Sequence, residues 1–333
     1  MNTNPYLVAD LHCDLLTFLA RNPNRTFLDH RARSSYPQLL KGGVKVQTLA
    51  IYTNTEKGSV KKALTQVHVF NTLLERFPLY FSRKRSTKEK TITLLPAFEN
   101  ASCFLEEDEP LEHGLNRLEE LHKKLGIILY ISLTWNGENR LGGGCGSKMG
   151  LKEDGKQLLL WMNKKKIALD LSHSSDFLSF DSLNFIDKHA LHIPVLASHS
   201  NFRAICQEER NLPDSLAKEI IRRKGLIGLN FYSKFIDQTR SNPKMLFKHI
   251  EHALSLQGDA SLAFGADFFY EHDEFPGVEK NPTNGSFFEE YANASKYPQI
   301  LSTMQQTMQL PISLIKKIAS ENFIHFLGKS YDF

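Results

Sequence analysis

Tyr6-Leu7-Val8-Ala9-Asp10-Leu11-His12-Cys13-Asp14 is an apolar run that ends, without a break, in an imidazole and a carboxylate two residues apart. Read as a strand covered on both faces, Tyr6–Leu11 delivers His12, Cys13 and Asp14 at its carboxyl end. The construction recurs along the chain. Thr91–Phe98 ends on Glu99, Ile167–Ser172 on His173, Ile193–Ser198 on His199 and Ser261–Ala266 on Asp267. Three more apolar runs, Val44–Tyr52, Ile127–Leu133 and Leu226–Phe231, bring the number of expected strands to eight.

Helical patterns lie between many of these runs. Ala63, Leu64, Val67, Leu74 and Phe77 keep helical spacing before the third, and Leu111, Leu115, Leu118, Leu121 and Leu125 do so before the fourth. Gly150–Lys166 ends in Lys164-Lys165-Lys166, which complements the helix dipole, and Asp214–Arg223 opens on a carboxylate after Pro213. Repeated strand–helix alternation predicts an α/β fold, a (β/α)8 TIM-like barrel, and no Gly-x-Gly-x-x-Gly follows the first strand to favour a dinucleotide fold. Such a barrel gathers the carboxyl ends of its strands on one face, so residues spread from His12 to Asp267 converge there. The expected organisation is a single catalytic domain over residues 1–333. A long polar and aromatic loop over 270–297 follows the last strand, as a lid or subunit contact, and C-terminal helices follow over 298–328.

The 333 residues, 41% hydrophobic and 23% charged, are those of a soluble globular protein. A net charge of +4, from 41 basic and 37 acidic residues, argues against a nucleic-acid partner. The basic stretch around Arg83-Lys84-Arg85 reads as a solvated loop. The four cysteines form no Cys-x-x-Cys pair, which points to reduced thiols. No run approaches the roughly 20 apolar residues of a membrane span, and Met1–Pro5 has no signal-peptide pattern. The expectation is a cytoplasmic protein with no membrane partner.

In extended backbone, residues i and i+2 project to one side, so His12 and Asp14 can grip one ion. Glu99 ends so apolar a run that its charge must be solvated, paired or metal-bound, and one carboxylate can bridge two ions. His173 and His199 stand in matching positions on adjacent runs, where their rings sit side by side. Asp170 is expected to point inward below His173 as its partner. The nitrogen and oxygen set suits zinc or a similar divalent ion. His249-x-x-His252 falls on the amphipathic stretch 243–257, outside the barrel, and reads as structural.

With these residues in place the chain resembles the renal (membrane) dipeptidase family of zinc peptidases, from Asp10 to about Phe326. The marks are Asp10-Leu11-His12-Cys13-Asp14, Gly42-Gly43-Val44, Leu133-Thr134-Trp135-Asn136, Gly150-Leu151, Asp170-Leu171-Ser172-His173-Ser174-Ser175, Ser198-His199-Ser200, Arg210-Asn211-Leu212-Pro213-Asp214, Gly265-Ala266-Asp267-Phe268, Ser295-Lys296-Tyr297-Pro298 and Glu321-Asn322-Phe323. The resemblance implies a homodimeric metal-dependent hydrolase of amidohydrolase-like architecture, with two Zn2+ per chain. His12 and Asp14 would hold one ion, His173 and His199 the other, and Glu99 would bridge them. Asp267 matches the catalytic acidic residue, and Arg210 the residue that takes the substrate's free carboxylate. Trp135, with Asn136 beside it, stands where mammalian members place a substrate-contacting His. Phe269 and Asn100-Ala101 stand where the family often has glycine, which implies a bulkier rim.

The activity so implied is hydrolysis of free dipeptides, including those with a C-terminal D-residue, by a metal-bridging hydroxide, with Asp267 as general base and acid. Two other readings fit parts of the pattern. One is a binuclear amidohydrolase acting on a cyclic amide or a base to be deaminated, although no strand-end lysine is placed to bridge two metals. The other is a catalytically silent ligand-binding barrel. Manganese or cobalt could replace zinc in such a ligand set.

Overall fold

A computed structural model describes residues 6–86, 88–274 and 285–330. Among them nine strands pair in parallel: β1 (Val8–Cys13), β2 (Val44–Tyr52), β3 (Phe81–Ser82), β4 (Ile92–Glu99), β5 (Tyr130–Ser132), β6 (Ala168–Asp170), β7 (Val195–Ala197), β8 (Leu226–Leu229) and β9 (Leu262–Phe264). Eight of them close a ring in the order β1-β2-β4-β5-β6-β7-β8-β9. The seal is the pairing of β2 with β4, which runs from Val46↔Thr93 to Tyr52↔Glu99. The (β/α)8 barrel read from the sequence is therefore closed. Each of the eight expected runs carries one ring strand, although Ile127–Leu133 contributes only Tyr130–Ser132. Sequence reading missed β3, a two-residue strand that pairs with β4 at Ile92 and Thr93, below the point where β5 joins at Phe98.

Alternation along the strands separates two buried clusters. Ala9, Leu11, Val46, Leu95, Ala97, Tyr130, Ala168, Leu196, Leu226 and Ala263 form the inner one. Four are alanines, as a narrow barrel interior requires. Their strand neighbours Val8, Leu49, Leu94, Ile131, Leu169, Val195, Ile227 and Leu262 face outward and pack with the surrounding helices. Those helices include Ser59–Arg76, Leu111–Leu125, Glu153–Lys165, Asp176–Lys188, Asp214–Arg222 and Met245–Ser255. Their ends follow ordinary capping chemistry. Ser175 accepts from Leu178 N at 3.0 Å, and Glu153–Lys165 opens on two acids and closes on two lysines.

The C-terminal helical stretch, Ile312–Ser330 with a wider π-type turn at Lys317–Glu321, lies against β1, β8 and β9. Its Phe323, Phe326 and Leu327 join the inner cluster, so this stretch seals the barrel interior. After β9 the short helix Glu271–Glu274 is held to the β1–β2 connection. Arg25 pairs with both oxygens of Asp273, one at 2.8 Å, and Arg33 pairs with both of Glu271, one at 3.1 Å. Residues 275–284 of the loop expected over 270–297 lie outside the described residues. Among the described residues no helix is long and apolar enough to cross a membrane.

Candidate metal centre

Glu99 closes β4 and stands between two sets of imidazoles, almost fully buried. Its Oε2 lies 3.3 Å from His12 Nε2, and its Oε1 lies 2.8 Å from His173 Nε2 and 3.6 Å from His199 Nε2. His12 Nε2 is also 4.0 Å from Asp14 and 3.6 Å from Asp267. The ligand atoms fall into overlapping groups of metal-binding size, His12–Asp14–Glu99 and Glu99–His173–His199, with a third in His12–His199–Asp267. The five expected ligands and Asp267 are thus brought together.

What orients the rings is the other nitrogen of each. Tyr130 Oη donates to Leu11 O at 3.1 Å, so at 2.7 Å it accepts from His12 Nδ1–H. Ser198 Oγ donates to Asp170 at 2.7 Å and accepts from His199 Nδ1–H at 2.7 Å. His173 Nδ1 lies 2.7 Å from Asn136 Oδ1 and accepts from Arg210 Nε–H at 3.2 Å, and these contacts hold its ring. All three rings therefore turn Nε2, the nitrogen a metal ligand would present, toward Glu99. His173 Nε2 and His199 Nε2 approach to 2.8 Å, and His12 Nε2 has no hydrogen-bond partner although fully buried. Converging Nε2 atoms and an orphaned buried nitrogen fit divalent cations at this place.

The charges agree. Burial and the Arg210 cation take His173 down to about 3, and burial with nearby positive charge takes His199 well below its ordinary value. Both are neutral, as ligating imidazoles are. Burial opposes protonation of His12, yet the carboxylates of Glu99, Asp14 and Asp267 push it up to about 10, so that spot draws positive charge. Burial also opposes ionisation of Glu99, but His12 and His173 hold it below the carboxylate range. Burial, reinforced by Glu99, raises Asp267 to about 7.

Local backbone sets these positions. His12 lies within β1 and Glu99 ends β4, but His173, His199 and Asp267 sit two or three residues past their strands. His173 (φ 69°) and Asp267 (φ 61°) take the left-handed region, costly for a side-chain-bearing residue and typical of functional turns. Buried carboxylates brace the strands beneath. Asp10 accepts from His12 N and Ala266 N, and Asp170 from Ser172 N and Ser198 N. Asp170 acts on His199 through Ser198, rather than on His173 as its sequence position suggested. At Gly265 an added Cβ would come within 1.8 Å of Ser198 O, so only glycine lets β9 approach the His199 turn.

Asp267 Oδ2 accepts from Asn230 Nδ2 at 2.8 Å. Arg210 is buried, with Nη1 on Ser200 Oγ at 2.8 Å and Nη2 on His199 O at 3.2 Å. Among the described residues no carboxylate lies within ion-pair distance of it. Trp135 stands between Tyr52 (5.3 Å between ring centres) and His173 (5.9 Å). Asn136 both touches His173 and faces the cavity above the ligands, whose walls include Tyr52, Trp135, Tyr232, Phe235 and Phe269. His249, hydrogen-bonded to Phe202 N and Ile236 O, and His252, bonded to Asp214, are structural. Sequence reading missed Tyr130, Ser198 and Asn230. Ser198 carried a signal, its place beside His199, while Tyr130 and Asn230 fell inside the expected strand runs Ile127–Leu133 and Leu226–Phe231 with nothing to mark them.

The fold is a (β/α)8 barrel, and at the carboxyl ends of its strands stand groups of side chains that could hold metal ions. The family model described as membrane dipeptidase (peptidase family M19) matches residues 3–331, and the chain belongs to that family. Relatives include an uncharacterized protein of the pqqA 5' region of Klebsiella pneumoniae, 30% identical over 147 residues (40% of this chain, 52% of that protein). Dipeptidase tcpJ of Claviceps purpurea is 25% identical over 185 residues (55% of this chain, 39% of that protein). The matched stretches span about half or less of these curated relatives. A Rhodobacter sphaeroides metallo peptidase, solved with a phosphinate mimic of L-Ala-D-Ala, shares the fold at a TM-score of 0.81 and 20% identity, over 98% of this chain and 99% of that one. A metallo peptidase named dipeptidase AC shares it at 0.79 and 21%, over 98% and 99%.

Proposed function

We propose that this protein is a dipeptidase that uses two divalent metal ions, zinc in the first instance, to hydrolyse free dipeptides. The observation that carries the proposal is the common orientation of the three imidazoles, each locked through Nδ1 and aimed through Nε2 at Glu99. His12 and Asp14 would hold one ion, His173 and His199 the other, with Glu99 shared. Bound there, such ions lower the pKa of water and polarise the scissile carbonyl.

The chain's own residues do the rest. Asp267, oriented by Asn230 and 3.6 Å from His12 Nε2, takes the proton of the attacking water and returns it to the leaving amine. Arg210, buried without a carboxylate partner among the described residues, pairs with the substrate's C-terminal carboxylate and so limits cleavage to short peptides. Acceptance of a C-terminal D-residue is part of the proposal, supported by the L-Ala-D-Ala mimic bound to the Rhodobacter protein. A homodimer and a cytoplasmic location belong to it too. Phe177 and Phe180, exposed three residues apart on the helix Asp176–Lys188, agree with the first, and four free thiols agree with the second.

The test is hydrolysis of L-Ala–L-Ala and L-Ala–D-Ala before chelation, after it, and after zinc is restored. Cleavage that disappears and returns supports the reading. No cleavage with two metals bound moves the assignment to another amide substrate, and neither metal nor cleavage leaves a silent barrel.

A further inference from the structure

The cavity above the ligands has a polar floor and aromatic walls. Asp14, Glu99, Asn136, His173 and Asp267 make up the floor. On one arc of the ring, Tyr52 at the end of β2 packs on Trp135 after β5. On the opposite arc, after β8 and β9, Tyr232 packs on Phe235 (4.9 Å between ring centres) and on Phe269 (5.7 Å), and Phe287 backs Phe269 at 5.1 Å. Both tyrosine hydroxyls are engaged elsewhere. Tyr52 Oη donates to Asn54 Oδ1 at 2.6 Å, and Tyr232 Oη accepts from Arg240 at 3.5 Å. The walls therefore present ring surface.

We infer that these walls make apolar dipeptides the preferred substrates, with Trp135 and Phe269 setting the preference. The inference rests on the dipeptidase reading and adds the substrate class. Once the floor has engaged the reacting amide, the side chains of a dipeptide lie against the rings that line the cavity. A Leu or Phe side chain buries apolar surface there. Among the described residues the walls offer a Lys side chain no carboxylate and a Glu side chain only the guanidiniums against Phe235 and Tyr232, so a charged side chain loses more water than it recovers.

The experiment compares kcat/KM for L-Leu–L-Leu, L-Ala–L-Ala, L-Lys–L-Lys and L-Glu–L-Glu with the zinc-loaded protein. L-Leu–L-Leu is expected to exceed both charged dipeptides by about tenfold or more, the scale on which apolar pockets discriminate. In Trp135→Gln and Phe269→Gln the loss for L-Leu–L-Leu should exceed that for L-Ala–L-Ala, in protein whose melting curve remains cooperative. Charged dipeptides cleaved as well as L-Leu–L-Leu overturn the inference and leave the dipeptidase reading standing. So does a gap that neither variant narrows. Cleavage of no dipeptide overturns the dipeptidase reading and this inference with it. If a variant does not fold, the wild-type panel decides alone.

Discussion

On the β6/β7 side of the centre, Asp170 receives N–H groups from Ser172 and Ser198 on one oxygen and the hydroxyls of Ser132 and Ser198 on the other. On the β1/β9 side, Asp10 receives N–H groups from His12 and Ala266 on one oxygen, but its other oxygen takes the hydroxyl of Tyr297. Burial raises the pKa of both carboxyls, so both depend on their donors. The first brace is closed by residues of the barrel strands and the turns that continue them. The second is closed by a residue 287 positions away, at the start of the helix Tyr297–Gln306. The His173/His199 half of the centre is thus self-contained, while the His12/Asp14 half depends on docking of the C-terminal region.

Glu99 joins the halves, so its loss should do most damage. Glu99→Gln is expected to lower kcat/KM by about 10²- to 10³-fold or more, the scale of removing a principal electrostatic group. Metal analysis should find fewer than two ions per chain. Asp267→Asn should retain both ions and lose about 10²- to 10⁴-fold in kcat, the range of a general acid–base group. Unchanged turnover would remove that role. The ring-orienting partners come next and separate the halves. Ser198→Ala should weaken metal retention at the His173/His199 half, and Tyr130→Phe at the His12 half, each by about 10- to 100-fold in affinity. Competition with a chelator reads both. The smallest effect is expected from Tyr297→Phe, which leaves a buried oxygen of Asp10 without its donor. Unfolding should become easier by about 1–3 kcal/mol. Any metal loss should fall on the His12 half, and equal loss from both would break the comparison.

The same asymmetry explains what the sequence could tell. His12, Glu99, His173, His199 and Asp267 were legible because each ends an apolar run, and a barrel gathers such ends. Ser198 and Asp170 lie in the same short stretches as the ligands. The roles of Tyr130 and Tyr297 were not legible, although Tyr297 stands in one of the quoted motifs. Each is a large, fully buried ring whose polar tip alone touches the site, from an element more than 100 residues away. Nor did periodicity show that His173 and Asp267 leave the strand through left-handed backbone, or that two residues at Phe81 and Ser82 pair beside β4. Short strands and single dihedral angles leave no periodic trace.

The most direct measurement is zinc stoichiometry by titration calorimetry on the wild-type chain, His12→Ala and His173→Ala. Two half-sites that share Glu99 predict two ions for the wild type and one for each variant, with dipeptide hydrolysis lost in both variants. A wild-type chain that binds one ion or none, or a variant that keeps two, would contradict the account.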